Sequence, residues 1–227
     1  MNTDASCSPR SGIPRRVWLL GAVAGLGGLS AGLVVSRLTS PPGASQAVDP
    51  GIPGLLWPPP KPLSAFALDA TDGQAFDLSR LKGRWSFLFF GFTFCPDVCP
   101  TTLTTMATAT KQIRDALPAE DVQVVFVSID PARDTLARTK SYVEFFDPRF
   151  VGARASVEQL EGLTGQLGVL HFRGEPDEQG HYEVDHSASI QLVDPQARRV
   201  GVFSTPHVPE DIASRYLAMK AFLESNQ

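Results

Sequence analysis

Beyond residue 62, two stretches of the chain are apolar almost without a break: WSFLFFGF at residues 85–92 and VQVVFVSI at residues 122–129. A helix on a protein surface shows polar residues every turn, and a strand with one wet face alternates. Neither stretch does either. Both are short and rich in Phe and Val, so each reads as a strand buried on both faces. Such strands need helices packed above and below them, and each stretch is followed by a segment with helical spacing. Pro118 closes the first helix, 100–117, and the second covers 135–146.

Around this pair the other elements take their places. A short alternating strand at 64–68 precedes a Thr71-Asp72-Gly73 turn. A brief strand at 150–152 and a helix at 157–167 follow the second buried strand. Strands at 187–193 and 199–204 flank an Asp194-Pro195 turn, and a helix at 209–223 ends the pattern. Alternating strand–helix units imply parallel neighbours in a central sheet with helices on both faces. A final hairpin before the last helix adds antiparallel strands. The expected class is α/β, a thioredoxin-like domain with a central mixed sheet. Residues 168–186 read as an inserted loop or hairpin.

The N-terminal region reads differently. Residues 17–35 carry no charge over 19 positions. As a helix this segment is about 28 Å long, close to the roughly 30 Å core of a bilayer. Arg15 and Arg16 precede it and only Arg37 follows. The positive-inside rule therefore predicts a cytoplasmic tail at 1–16, a single transmembrane helix at 17–35, and the rest of the chain across the membrane. The rival reading is a cleaved signal peptide, whose apolar core is usually shorter, about 7–15 residues. Residues 36–62 are rich in Pro and Gly and read as a semi-extended linker, and residues 63–227 as the folded domain. Arg10, Arg15, Arg16 and Arg37 hold four of the 20 basic charges and Asp4 one of the 24 acidic ones, so the chain from residue 38 onward carries about −7. That balance repels phosphate backbones and argues against nucleic acid as a partner.

Three cysteines are too few for a disulfide framework, and two of them lie four apart in Cys95-Pro96-Asp97-Val98-Cys99-Pro100. This segment falls where the first buried strand hands over to its helix, the edge at which open α/β sheets bind ligands. A helix N-terminus stabilises negative charge, so a lowered thiol pKa is expected there. CxxxC is wider than the usual CxxC redox pair, which lets two sulfurs approach one metal ion while a disulfide remains feasible. Two sulfurs need a further ligand. Of His171, His181, His186 and His207, the choice is His186, in Tyr182-Glu183-Val184-Asp185-His186-Ser187 at the start of a strand, with Asp185 expected to orient it. Two thiolates and an imidazole suit copper, Cu(I) or Cu(II), far better than magnesium or calcium. A metal-free redox pair, Cys95 with Cys99, stays open as the other reading. A peroxidase-like site is a third, supported by Thr93 alone. Asp134 or Thr135 is expected to cap the helix after the second strand, and Asp130 to be structural.

The stretches SAFALDATDGQAFDLSRLKGRW, FGFTFCPDVCPTTL, VFVSIDPARDTLA and YEVDHSASIQLVD resemble the Sco (SenC/PrrC) family of copper chaperones. The resemblance implies a membrane-tethered thioredoxin-like domain on the periplasmic side of the inner membrane. It implies copper held by Cys95, Cys99 and His186 and received from an upstream donor. The copper then passes to the Cu(A) site of cytochrome c oxidase subunit II or another acceptor. Such a protein is a metallochaperone rather than a turnover enzyme. The same resemblance carries an alternative, a thiol–disulfide reductase that keeps the acceptor's cysteines reduced.

Overall fold

The computed structural model describes residues 60–226 and the backbone of Leu55–Leu56. In chain order the elements are β1 (Leu55–Leu56), β2 (Lys61–Pro62), β3 (Ala67–Ala70), β4 (Ala75–Asp77), α1 (Leu78–Leu81), β5 (Trp85–Gly91), α2 (Val98–Ala116), β6 (Val122–Ser128), α3 (Leu136–Phe146), β7 (Val151–Arg154), α4 (Val157–Leu167), β8 (His171–Arg173), β9 (Val184–His186), β10 (Ile190–Val193), β11 (Arg198–Phe203) and α5 (Pro209–Ser225).

The two apolar stretches are the adjacent central strands β5 and β6, paired in parallel from Trp85↔Val122 to Gly91↔Ser128. Every residue of β5 is buried. Its side chains alternate between two core layers, as the pleat requires. Trp85, Phe87 and Phe89 face the layer that holds α2 and α5, while Leu88 and Phe90 face the layer that holds α4. Tyr216 of α5 meets Trp85 edge-on at 5.4 Å and Phe87 at 5.6 Å. Ser86 and Gln123 are buried polar residues of these strands. Gln123 Nε2 donates to Ser86 Oγ at 2.7 Å and to the Arg80 carbonyl at 2.8 Å, which pairs the amide's donor end and lowers the cost of its burial.

β7 extends the sheet in parallel beside β6, and β3 and β4 follow it antiparallel. On the other side β10 pairs antiparallel with β5, and β11 with β10. The sheet is therefore mixed. The helix boundaries have local causes. Ser156 and Gln159 form a reciprocal capping box at the start of α4, and Gly168, in the left-handed region at φ 67°, ends it. Thr135, not Asp134, caps α3 by accepting from Arg138 N at 3.2 Å.

Several boundaries differ from the sequence expectation. The strand expected at 64–68 starts at Ala67, because Leu63 N already donates to the Ala197 carbonyl and Ser64 N to Gln166 Oε1. The Thr71-Asp72-Gly73 turn leads directly into β4, which pairs back on β3. The strand expected from 187 starts at Ile190, since Ser187 N is taken by the Leu170 carbonyl at 2.8 Å. Residues 168–186 contain a hairpin, β8–β9, that forms a two-stranded sheet of its own. Leu55–Leu56 and Lys61–Pro62, from the Pro- and Gly-rich stretch, pair antiparallel along the outer edge of β11. The segments 1–16 and 17–35 lie outside the described residues. Among the described residues no helix is long and apolar enough to cross a membrane.

Candidate metal centre

Cys95 lies in the loop after β5, and Cys99 in the first turn of α2. The loop sits at the carboxyl ends of β5 and β6, the edge where such sheets bind ligands. Asp97 occupies the cap position of α2, but its side chain makes no capping bond. The backbone N–H of Cys99 points instead at Cys95 Sγ, 3.5 Å away, so a sulfur takes the place of a capping oxygen. Cys99 is fully buried and Cys95 half-buried.

His186 arrives from the other side, on β9. Its Nε2 lies 3.5 Å from Cys99 Sγ, and one atom each of Cys95, Cys99 and His186 lie within 4.8 Å of one another. The imidazole Nδ1 is 3.1 Å from the Ser187 carbonyl. A carbonyl only accepts, so Nδ1 carries the proton and the Nε2 lone pair faces the sulfurs. Asp185 was expected to orient the ring; it is exposed, and the Ser187 carbonyl performs that role. The rings of Phe92 and Phe89 stand against the imidazole at 6.0 and 6.2 Å.

These surroundings set the protonation states. Burial pushes the His186 pKa below its ordinary value, with the Ser187 carbonyl and Asp185 opposing. The imidazole is therefore neutral at pH 7, as a metal ligand must be. Burial pushes the Cys99 thiol strongly upward; a backbone contact at Phe92 opposes, and the Cys95 sulfur adds to the rise. The helix N-terminus was expected to lower it. At Cys99 desolvation wins, because the sulfur lies inside the core rather than at the helix mouth. An unmetallated Cys99 is thus a protonated thiol, and a soft cation that replaces the proton removes the cost of a buried bare anion. Two sulfurs and one neutral imidazole within reach of one point fit copper by the chemistry of the donor set.

The remaining candidates are placed elsewhere. His181 is exposed and faces Asp177. His207 is half-buried and contacts Thr102 Oγ1 and the Phe203 carbonyl. His171 pairs across the hairpin from His186 and does not belong to the ligand cluster. Thr93 is not aimed at the cysteines: its N–H and hydroxyl donate to the buried Asp134 carboxylate at 3.0 and 2.6 Å, which also accepts from Ser128 Oγ at 2.7 Å. Asp130 is buried and accepts from the Tyr182 hydroxyl at 2.7 Å and from Arg133.

Gly91 belongs to the site through the side chain it lacks. A Cβ added at Gly91 would lie 2.7 Å from Cys99 Sγ and 2.9 Å from the Phe126 ring. A lone glycine within an apolar strand marks such a close approach. Here the approaching atom is the Cys99 sulfur.

A mixed α/β domain with two cysteines and a histidine gathered at the carboxyl edge of its central strands belongs to the thioredoxin-like proteins with a thiol–imidazole site. The comparisons narrow this. The family model described as SCO1/SenC matches residues 59–220, and the chain belongs to the SCO1/SenC family. It is 35% identical over 142 residues to "Protein SCO1 homolog 1, mitochondrial" of Arabidopsis thaliana, covering 63% of this chain and 42% of that protein. The chain thus spans less than half the length of that relative. Among solved structures, Arabidopsis thaliana ScoI with copper bound is 31% identical with a TM-score of 0.66, covering 70% of this chain and 98% of that one. Bradyrhizobium japonicum ScoI with copper bound is 32% identical with a TM-score of 0.61, covering 71% and 99%.

Proposed function

We propose that this chain binds one copper ion through Cys95 Sγ, Cys99 Sγ and His186 Nε2 and hands it to an acceptor protein by ligand exchange. The observation that carries the reading is the meeting of these three donors, with the imidazole lone pair already turned inward. The copper-bound ScoI structures support the choice of metal. Three protein ligands leave a coordination position for an incoming donor, so transfer proceeds by exchange and requires no free ion. The acceptor in this reading is the Cu(A) site of cytochrome c oxidase subunit II. The membrane anchor at 17–35 holds the domain on the periplasmic side.

The test is copper stoichiometry and absorption of the reduced 227-residue chain with Cu(II). We expect one copper per chain with a thiolate-to-copper charge-transfer band, and loss of both stoichiometric binding and the band in Cys95→Ser. In His186→Ala the band shifts and binding weakens. Undiminished 1:1 binding in the histidine variant would remove His186 from the ligand set.

A second reading is favoured by the contact between Cys99 N–H and Cys95 Sγ. Both cysteines are free and close enough to pair. Their oxidation to one disulfide releases two electrons and two protons, which reduce a disulfide of a partner protein to two thiols. The readings are linked, because that disulfide removes two of the three copper ligands.

A further inference from the structure

Arg133 is not one of the three ligands, yet the surroundings of the site converge on its guanidinium. It lies in the turn after β6, at the same sheet edge as Cys95. Its Nε pairs with Oδ2 of the buried Asp130, and its Nη1 donates to the Tyr182 carbonyl at 3.0 Å. Its central carbon lies over the Tyr182 ring, 3.8 Å from the centroid, and 5.1 and 5.7 Å from the centroids of Phe94 and Phe92. The Tyr182 hydroxyl closes the loop by donating to Oδ1 of Asp130. Arg173 covers the same tyrosine ring at 4.3 Å.

Two routes out of this cluster reach His186. Tyr182 lies four residues before it, on the approach to β9. Phe92 stands edge-on to the imidazole at 6.0 Å. The hairpin that carries His186 belongs to a separate sheet, so no strand ladder of the main sheet holds it against the cysteines. The two bonds of Tyr182, to Asp130 and from Arg133, tie it to the turn after β6.

We infer that Arg133 is a positioning residue for copper capture. Clamped on Asp130, it fixes Tyr182 and Phe92 and so holds His186 Nε2 over the two sulfurs. This rests on the copper reading above. Removing a group that supports a metal ligand typically changes affinity about 10- to 100-fold.

The test is a double-variant cycle on the 227-residue chain, with Cu(I) affinity read by competition with a chromogenic chelator. Arg133→Ala is expected to weaken binding about 10- to 100-fold. In a His186→Ala background the same change is expected to cost less than about twofold, because the residue through which it acts is gone. Equal losses in both backgrounds would overturn the inference, as would an unchanged affinity in the single variant. Arg133→Lys keeps a charge beside Asp130 but not the planar stack, and recovers only part of the affinity; full recovery would overturn the clamp. Amide exchange of the copper-free chain gives an independent readout. Arg133→Ala speeds exchange in β8 and β9 and leaves β5 and β6 unchanged, and unaltered exchange in the hairpin would refute the clamp. Should wild type itself bind no copper, the copper reading falls, while the exchange result still decides the clamp.

Discussion

Gly91→Ala inserts one methyl group at the tightest point behind the site. The backbone at Gly91 is not in the left-handed region, so any residue can adopt its dihedral angles and only space decides the outcome. The new carbon would lie 2.7 Å from Cys99 Sγ and 2.9 Å from the Phe126 ring, roughly 1 Å inside ordinary contact distance. Neither neighbour is the loose end of a flexible chain. Phe126 is fully buried and packed between Phe89 at 6.2 Å and Tyr142 at 5.5 Å. Cys99 is fully buried in the first turn of α2. Overpacking of this kind costs about 1–3 kcal/mol, and loss of glycine's freedom in the unfolded chain returns about 0.4–1 kcal/mol. The expected net loss is about 1–2 kcal/mol, which in a domain of this size lowers Tm by roughly 2–8 °C. Calorimetric melting of the copper-free chain measures it. In the copper reading, affinity falls as well, since the displaced atom is one of the two sulfurs assigned to the metal. Replacing Cys99 by Ser in the Gly91→Ala background puts a smaller atom on a shorter bond and recovers part of the stability. A Gly91→Ala chain that melts with wild type and keeps wild-type copper affinity would refute the argument that Gly91 exists to seat the sulfur.

Two further outcomes follow from the same structure. Asp134→Asn places an amide N–H₂ where three donors from Thr93 and Ser128 converge; the loss is expected to be about 2–4 kcal/mol, read by urea unfolding. Stability also depends on pH at both ends. The His186 and His207 pKa values lie below the ordinary 6.5 in the folded chain, so the unfolded chain binds more protons there. Their contribution is full above pH 6.5 and is lost as pH falls through their folded values. Cys99 is raised above its ordinary 9.0, so its contribution is full below pH 9 and declines above it. Cys99→Ser should flatten the first part of that alkaline decline in unfolding curves, and an unchanged slope would contradict the burial argument.

The central fold was legible because its signals are local. The runs at 85–92 and 122–129 show in their own composition that both faces are buried, and α4 carries its own capping box and terminal glycine. Elements whose existence depends on a distant partner were less visible. β1 and β2 are strands only because the outer edge of β11 is there to receive them. Cys95, Cys99 and His186, which the structure brings within reach of one point, were legible from motif and resemblance, but their supports were not. The orienting group for His186 is a backbone carbonyl, which every residue carries. The Cys99 pKa follows from depth in the core rather than from position in the helix. Arg133 meets Tyr182 across 49 residues, through stacking that leaves no spacing to read.

The placement of β5 has a consequence for the order in which the chain is made. One neighbour, β6, follows it closely in sequence, but the other, β10, is drawn from about a hundred residues downstream. Cys99 and His186 are 87 residues apart. On a ribosome the two thiols therefore emerge long before the imidazole, while one edge of β5 is still unpaired. A nascent chain at that stage carries both thiols but cannot present three donors to a metal. In the copper reading, competence arrives only once residues 171–203 have followed, when the hairpin and the closing strands fall into place.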